Sequence, residues 1–221
     1  MNVLGVIHPA DLFREPRQRV PAMSDWSRIP RLLSGEWPLP IPPRIVVRDN
    51  DPVATIDAAV RWLDAVPATA HVAVDTEYRT DNHKLLLWGC AARVDGVVGG
   101  VQIEWPRLPL WARDVLCQTI GELMGRCPVV MQNMAADVPV VEQNMGIAYD
   151  TYRRLDDLML AHALLWSEWP HSLEFIASLY SPYPKQKHLS QTDPLAYHWG
   201  DCIDTLASWE HVRRELYGGP E

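Results

Sequence analysis

The sequence predicts an α/β domain in which a mixed sheet is flanked by helices. Three observations predict it. Three strand-like runs follow one another between residues 71 and 105, the chain then alternates a short apolar strand with amphipathic helices, and the first 44 residues are too rich in proline to join either pattern.

From Met1 to Arg44 the chain carries Pro9, Pro16, Pro21, Pro30, Pro38, Pro40, Pro42 and Pro43. That density opposes long helices and central strands, so the stretch is expected to lie over the domain surface or act as a docking arm. A helix is predicted at TIDAAVRWLDAV, with Thr55 as its cap and Ile56, Ala59, Val60 and Leu63 as its apolar stripe. The runs HVAVDT, KLLLWGCAARV and VVGGVQIEW then read as strands. Asp95-Gly96 between the last two is a hairpin signal, so the three form an antiparallel meander. Next come a helix over 109–125, a short buried strand at PVVMQ and a helix from Ala135 to Asn144. Further helices are predicted at DDLMLAHALLWS, at HSLEFIASLY and over 194–216.

With 221 residues, 48% of them hydrophobic and 22% charged, the chain reads as a core domain over 46–221 preceded by an extension over 1–45. The net charge of −8 repels a polyanion, so a nucleic acid must be held by local basic residues and bound cations. Cys90, Cys117, Cys127 and Cys202 have no C-x-x-C spacing, which argues for reduced core thiols rather than structural zinc. No apolar run has membrane-spanning length and no signal-peptide pattern opens the chain, so a cytoplasmic protein is expected.

Chemistry concentrates in three segments. In VAVDTEY the alternation of a strand points Asp75 and Glu77 to one face and Val72, Val74 and Thr76 to the other. Two carboxylates so placed can grip a divalent cation, although D-x-E alone is more often a solvated strand end. MQNMAAD contributes Asp137. In YHWGD, Tyr197 and Asp201 stack on one helix face and Thr205 continues the row, although Tyr197 also suits core packing and Asp201 a cap. His162 and His171 read as packing or capping groups rather than ligands. Among the ten tryptophans, Trp88 and Trp199 are candidates for base stacking, with most of the others in the core.

Taken together, these segments resemble the tyrosine-bearing (DEDDy) branch of the DEDD-type 3′-to-5′ exonucleases, as found in the proofreading domain of family A, DNA polymerase I-like enzymes. Asp75-Thr76-Glu77 is similar to the first motif, Gln132-Asn133 with Asp137 to the second, and Tyr197 with Asp201 to the third. LDDLMLAHALL, HSLEFIASLY and Thr205 resemble further stretches of that family, and the resemblance covers roughly residues 68–217. Ala196, five residues before Asp201, stands where the histidine-using branch has its histidine.

The resemblance implies an RNase H-like fold and hydrolysis of DNA 3′ ends with two Mg²⁺ or Mn²⁺ ions, about 3.5–4 Å apart in such sites. Asp75, Glu77 and Asp201 would hold the first ion, Asp75 would bridge to the second, and Asp137 would support that second ion. Tyr197 would orient the attacking water. Thr76, Tyr78 and Asn133 would contact the terminal nucleotide. The loop before Tyr197 offers Lys185, Lys187 and His188 for phosphate, with Arg79 and Lys84 as similar candidates, and each equally suits an exposed basic surface. The expected partners are a single-stranded or frayed DNA 3′ end and a DNA polymerase in cis or in trans, with a proofreading role in replication and no membrane. A free-standing exonuclease is favoured over an excised domain. Two rivals remain: an exoribonuclease using the same acids, and a non-catalytic replication accessory module.

Overall fold

Small and β-branched residues dominate the run from Val72 to Glu104, and it folds as the expected meander: β2 (Val72–Tyr78), β3 (Leu85–Val94) and β4 (Val97–Glu104) pair antiparallel in order. Asp95 and Gly96 turn the second hairpin with φ of 49° and 80°, the left-handed conformation that Gly and Asp tolerate. A computed structural model describes residues 19–48 and 53–218. The part of the extension over 1–18, with Pro9 and Pro16, lies outside the described residues.

The described residues form a six-stranded sheet in the order β1-β4-β3-β2-β5-β6, with β1 at Arg44–Val47, β5 at Pro128–Met131 and β6 at Arg154–Asp157. β1 is parallel to β4, and β5 is parallel to both β2 and β6. The sheet is therefore mixed, with helices on both faces. Helices α2 (Val53–Ala65), α3 (Leu110–Arg126) and α4 (Met134–Met145) share one core with Val72, Val74, Trp88, Val101 and Ile103. Helices α5 (Leu158–Leu165), α6 (Leu173–Tyr180) and α7 (Pro194–Tyr217) share the other with Ala73, Ala91, Val98 and Val130.

Several sequence expectations are corrected. Prolines did not prevent a fifteen-residue helix, α1 (Arg19–Leu33), which contains Pro30 and has Pro21 in its first turn, where a missing N–H costs nothing. α1 lies over the domain surface: Ser24 donates to the Leu179 carbonyl at 3.0 Å, and further along Leu39 N–H donates to the Pro182 carbonyl at 3.0 Å. β1 follows Pro42-Pro43 directly and spans the expected boundary at 45/46, which an edge strand permits. Thr55 lies inside α2 and does not cap it, although Ile56, Ala59 and Leu63 are buried as expected. The predicted DDLMLAHALLWS helix begins only at Leu158, because Asp156 and Asp157 end β6 and the Asp157 carboxylate caps α5. Trp88 and Trp199 are fully buried, so neither can stack on a base. Cys90, Cys127 and Cys202 are buried free thiols, and Cys117 is free and half-buried.

The sheet face beneath α7 carries small residues, and this closeness is what seats α7 over the strand that bears Asp75. A Cβ on Gly100 would fall 2.0 Å from the Cys90 carbonyl and 2.6 Å from the Trp199 ring. Gly100→Ala is therefore expected to destabilise the protein by about 1–3 kcal/mol or more, read as a lower urea midpoint. An unchanged midpoint would show that α7 does not need this contact.

Candidate active site

Strand alternation decides which helix each residue of β2 faces. Ala73 looks toward α7, so Asp75 and Glu77 emerge on that side, at the carboxyl end of the strand. Val72 and Val74 belong to the opposite core, so Thr76 faces α4. Asp75, Glu77 and Asp201 each offer a carboxylate oxygen within 4.8 Å of the others, forming a group fit to hold a metal ion. Hard oxygens in such a cluster suit Mg²⁺, Mn²⁺ or Ca²⁺. Asp201 reaches it from the first half of α7, one helical turn beyond Tyr197.

The electrostatics show that this concentration of charge is costly without a counter-ion. Burial raises Asp75 well above the usual carboxylate range, and the neighbouring Asp137, Asp201 and Glu77 push it further the same way. Burial pushes Asp201 up to about 6, with Glu77 adding to the rise while a Tyr197 hydrogen bond and Lys187 oppose it. Glu77 is raised by burial as well. The Tyr197 phenol is pushed upward by burial and by Asp201, Glu77 and Asp75, so it stays protonated. It is a hydrogen-bond donor, not a base.

Asp137 is buried at the start of α4, where its Oδ1 accepts a hydrogen bond from the Thr76 hydroxyl. It acts electrostatically on Asp75 but is not one of the three clustered acids. Burial lifts it to about 7, against the Thr76 hydrogen bonds, which lower it. Asn133 precedes α4 in a left-handed conformation (φ 64°), and its N–H faces Asp157 Oδ1 at 3.3 Å. Met134 N–H donates to Oδ2 of the same carboxylate at 2.9 Å, so Asp157 ties the start of α4 to the start of α5.

A cleft of about 710 Å³ opens beside the acids, between Glu77, Leu86, Leu87, Arg107, Leu195 and Tyr197. Its volume falls in the range of small-molecule sites, enough for a nucleotide. A smaller pocket of about 230 Å³ lies on the other side of Tyr197 and is lined by Lys185, Gln186, Lys187 and Asp204. Lys187 is exposed and pairs with Glu174 at 3.4 Å. Tyr78 is half-buried against the first core, with its ring edge-on to His83, and Arg79 pairs with Asp81 at 3.5 Å. His162 is fully buried, with Nδ1 2.9 Å from His171 Nδ1, and burial holds it down to about 4, so it packs as a neutral ring.

Three polar groups near the site escaped sequence reading: Gln102 and His198, which are buried, and Asp204, which is half-buried. Asp204 accepts from the Ser181 hydroxyl and is lifted to about 7 by burial. Its only sequence signal was its place on the Asp201 helix, three residues on. Among the described residues, no helix is long and apolar enough to cross a membrane.

No protein-family model and no curated protein matches the sequence. Solved structures do match. The chain is similar to Trypanosoma brucei RNase D in complex with RNA U12, at 15% identity and a TM-score of 0.59 over 81% of this chain. It spans 64% of that RNase D chain, less than two thirds of its length. It is similar to the EXO domain of Aedes aegypti Nibbler at 12% identity and a TM-score of 0.52, over 79% of this chain and 88% of that one. It also matches Brucella melitensis NrnC with bound Mg²⁺ at 15% identity and a TM-score of 0.50, over 80% and 82% of the two chains. The mixed six-stranded sheet flanked by helices is the α/β, RNase H-like fold of these exonuclease domains.

Proposed function

We propose that this chain is a metal-dependent 3′-to-5′ exonuclease that removes nucleotides from single-stranded ends of nucleic acid. The convergence of Asp75, Glu77 and Asp201, with Tyr197 beside them at the wall of a nucleotide-sized cleft, carries the reading. Two divalent cations, when bound, would stabilise the charge that builds on the entering and leaving oxygens and ease deprotonation of water. Asp75, Glu77 and Asp201 would hold the first ion, and Asp75 with Asp137 would serve the second. For Asp137 that role requires sharing its carboxylate with the Thr76 hydroxyl.

Tyr197 orients the attacking water through its hydroxyl, since its raised pKa keeps the proton on the oxygen. Lys185 and Lys187 approach the phosphates from the smaller pocket, and Asn133 and the Thr76 backbone flank the terminal nucleotide, whereas the Thr76 side chain turns to Asp137 and Tyr78 packs against the first core. Tyr197→Phe is expected to lower kcat about ten- to a hundredfold while leaving metal affinity unchanged. An unaltered kcat would remove the positioning role.

RNA is the favoured substrate, because the fold is shared with an RNase D bound to RNA. DNA ends, with proofreading beside a polymerase, are the second reading, carried by the likeness of the Gln132-Asn133 segment to polymerase exonuclease domains. End-labelled single-stranded RNA, single-stranded DNA and mispaired duplex, each with Mg²⁺, Mn²⁺ or EDTA, distinguish the two. Stepwise, metal-dependent shortening from the 3′ end of RNA supports the first reading, and of DNA the second. Binding without cleavage sinks both and leaves an accessory module.

A further inference from the structure

The floor beneath the first half of α7 is a row of neighbouring residues on three strands. Asp75 of β2 stands opposite Gly89 of β3, and Gly89 stands opposite Gln102 of β4. The middle position has no side chain, and the ring of His198 fills the space above it. A Cβ on Gly89 would fall 2.7 Å from His198 Cε1 and 2.9 Å from Cys202 Sγ. His198 thereby bridges Asp75 and Gln102, and it is completely buried.

Hydrogen-bond polarity along this row is fixed from one end. Arg44 on β1 can only donate, and its Nε lies 2.7 Å from Gln102 Oε1, which settles the orientation of the amide. Gln102 Nε2 must then donate at both of its contacts, to the Leu195 carbonyl at 2.8 Å and to His198 Nδ1 at 2.7 Å. His198 Nδ1 is therefore a bare acceptor and the ring proton sits on Nε2. From there it is donated to the Asp75 backbone carbonyl at 3.1 Å, with Asp75 Oδ2 3.5 Å away. The second approach is not an ion pair, because Nδ1 accepts from Gln102 and the ring therefore carries a single proton. A protonated ring would also set two donors face to face at Nδ1.

We propose that Arg44, Gln102 and His198 form a positioning relay that fixes the backbone and carboxylate of Asp75 for metal binding. His198 is a positioning residue, since it reaches the cation only through Asp75. The inference rests on the metal-dependent reading above. It adds to that reading that an edge strand next to the proline-rich extension sets the geometry of the site through a tautomer.

Two measurements on the full chain test it. In ¹⁵N-labelled protein with EDTA, the His198 signals, assigned by their loss in His198→Gln, are expected to show a pyridine-like Nδ1 and a pyrrole-like Nε2. The opposite tautomer would overturn the proposal. Mn²⁺ affinity is then read by electron paramagnetic resonance in wild type, Gln102→Glu, His198→Gln and His198→Leu, with circular dichroism confirming the fold. Gln102→Glu keeps the size of the side chain but replaces the donor with an acceptor, which draws the ring proton to Nδ1. It should weaken Mn²⁺ binding about ten- to a hundredfold, the range for groups that orient metal ligands. His198→Gln, whose amide can donate toward the Asp75 carbonyl, should retain more affinity than His198→Leu. If Gln102→Glu fails to fold, the tautomer and the order of the two His198 variants still decide. Wild-type affinity in folded Gln102→Glu, or equal losses in the two His198 variants, would overturn the relay alone. Wild type that binds no Mn²⁺ would overturn the metal reading beneath it.

Discussion

Asp75→Asn is expected to lower exonucleolytic turnover by about a thousandfold or more while making the metal-free protein more stable. The loss follows from the position of Asp75 at the centre of the acid cluster, where it is the residue proposed to touch both cations. Metal-assisted stabilisation of a phosphoryl-transfer transition state is worth several kcal/mol, and each 1.4 kcal/mol is about a factor of ten in rate. The gain in stability follows from the same crowding. Burial and the charges of Asp137, Asp201 and Glu77 all oppose ionisation of Asp75, and a neutral amide of equal size removes that opposition. Turnover is read on end-labelled single strands, and stability by thermal unfolding in EDTA. Turnover like that of wild type would remove Asp75 from the site. Lower stability in EDTA would mean that its charge is compensated by something other than a cation.

The second large effect is a pH-dependent stabilisation by metal. Asp137 and Asp204 are lifted to about 7 and Asp201 to about 6, from an ordinary value of 3.8. These three acids therefore bind more protons in the folded chain than in the unfolded chain between about pH 4 and 7. Stability from these acids is fully present below about pH 4 and is lost as pH rises through 6 to 7. His198 and His162, held down to about 4 from 6.5, tilt the curve the other way, but only below about pH 6.5. Above that, the acids alone set the slope, and stability in EDTA falls.

Mg²⁺ competes with protons for the oxygens of Asp201 and Asp137 but not for those of Asp204, which bonds Ser181, so the gap in Tm between Mg²⁺ and EDTA should widen from pH 6 to pH 8. At a hundred times Kd the added stability is about 2.7 kcal/mol. The histidine contributions occur in both conditions and cancel in the difference. A gap that stays constant or narrows as pH rises would show that Asp201 and Asp137 are not the cation's ligands.

The fold was legible where its signals were local. The meander over 72–104, the strand at 128 and the helices around 109, 135, 173 and 194 each carried their own periodicity, and their boundaries differ from those observed by one or two residues. The edges were harder. β1 and β6 are four residues each, too short to show a period, and both owe their conformation to the strand beside them. α1 was hidden by proline, whose cost depends on where in a helix it falls. Trp88 and Trp199 illustrate the same limit: an indole reads alike in a sequence whether it waits for a base or fills a core.

By itself the sequence determined the order of the elements, the shared strand face of Asp75 and Glu77, and the shared helix face of Tyr197 and Asp201. These follow from repeats of two and of 3.6 residues, which any short segment carries with it. Only the tertiary structure decided that Asp201 joins the two strand acids, that Asp137 turns instead to Thr76, and that a buried histidine links Asp75 to Arg44. Those outcomes depend on which sheet face each helix covers and how closely it approaches. Glycines and alanines on neighbouring strands set that approach, far from the acids in the chain and next to them in space.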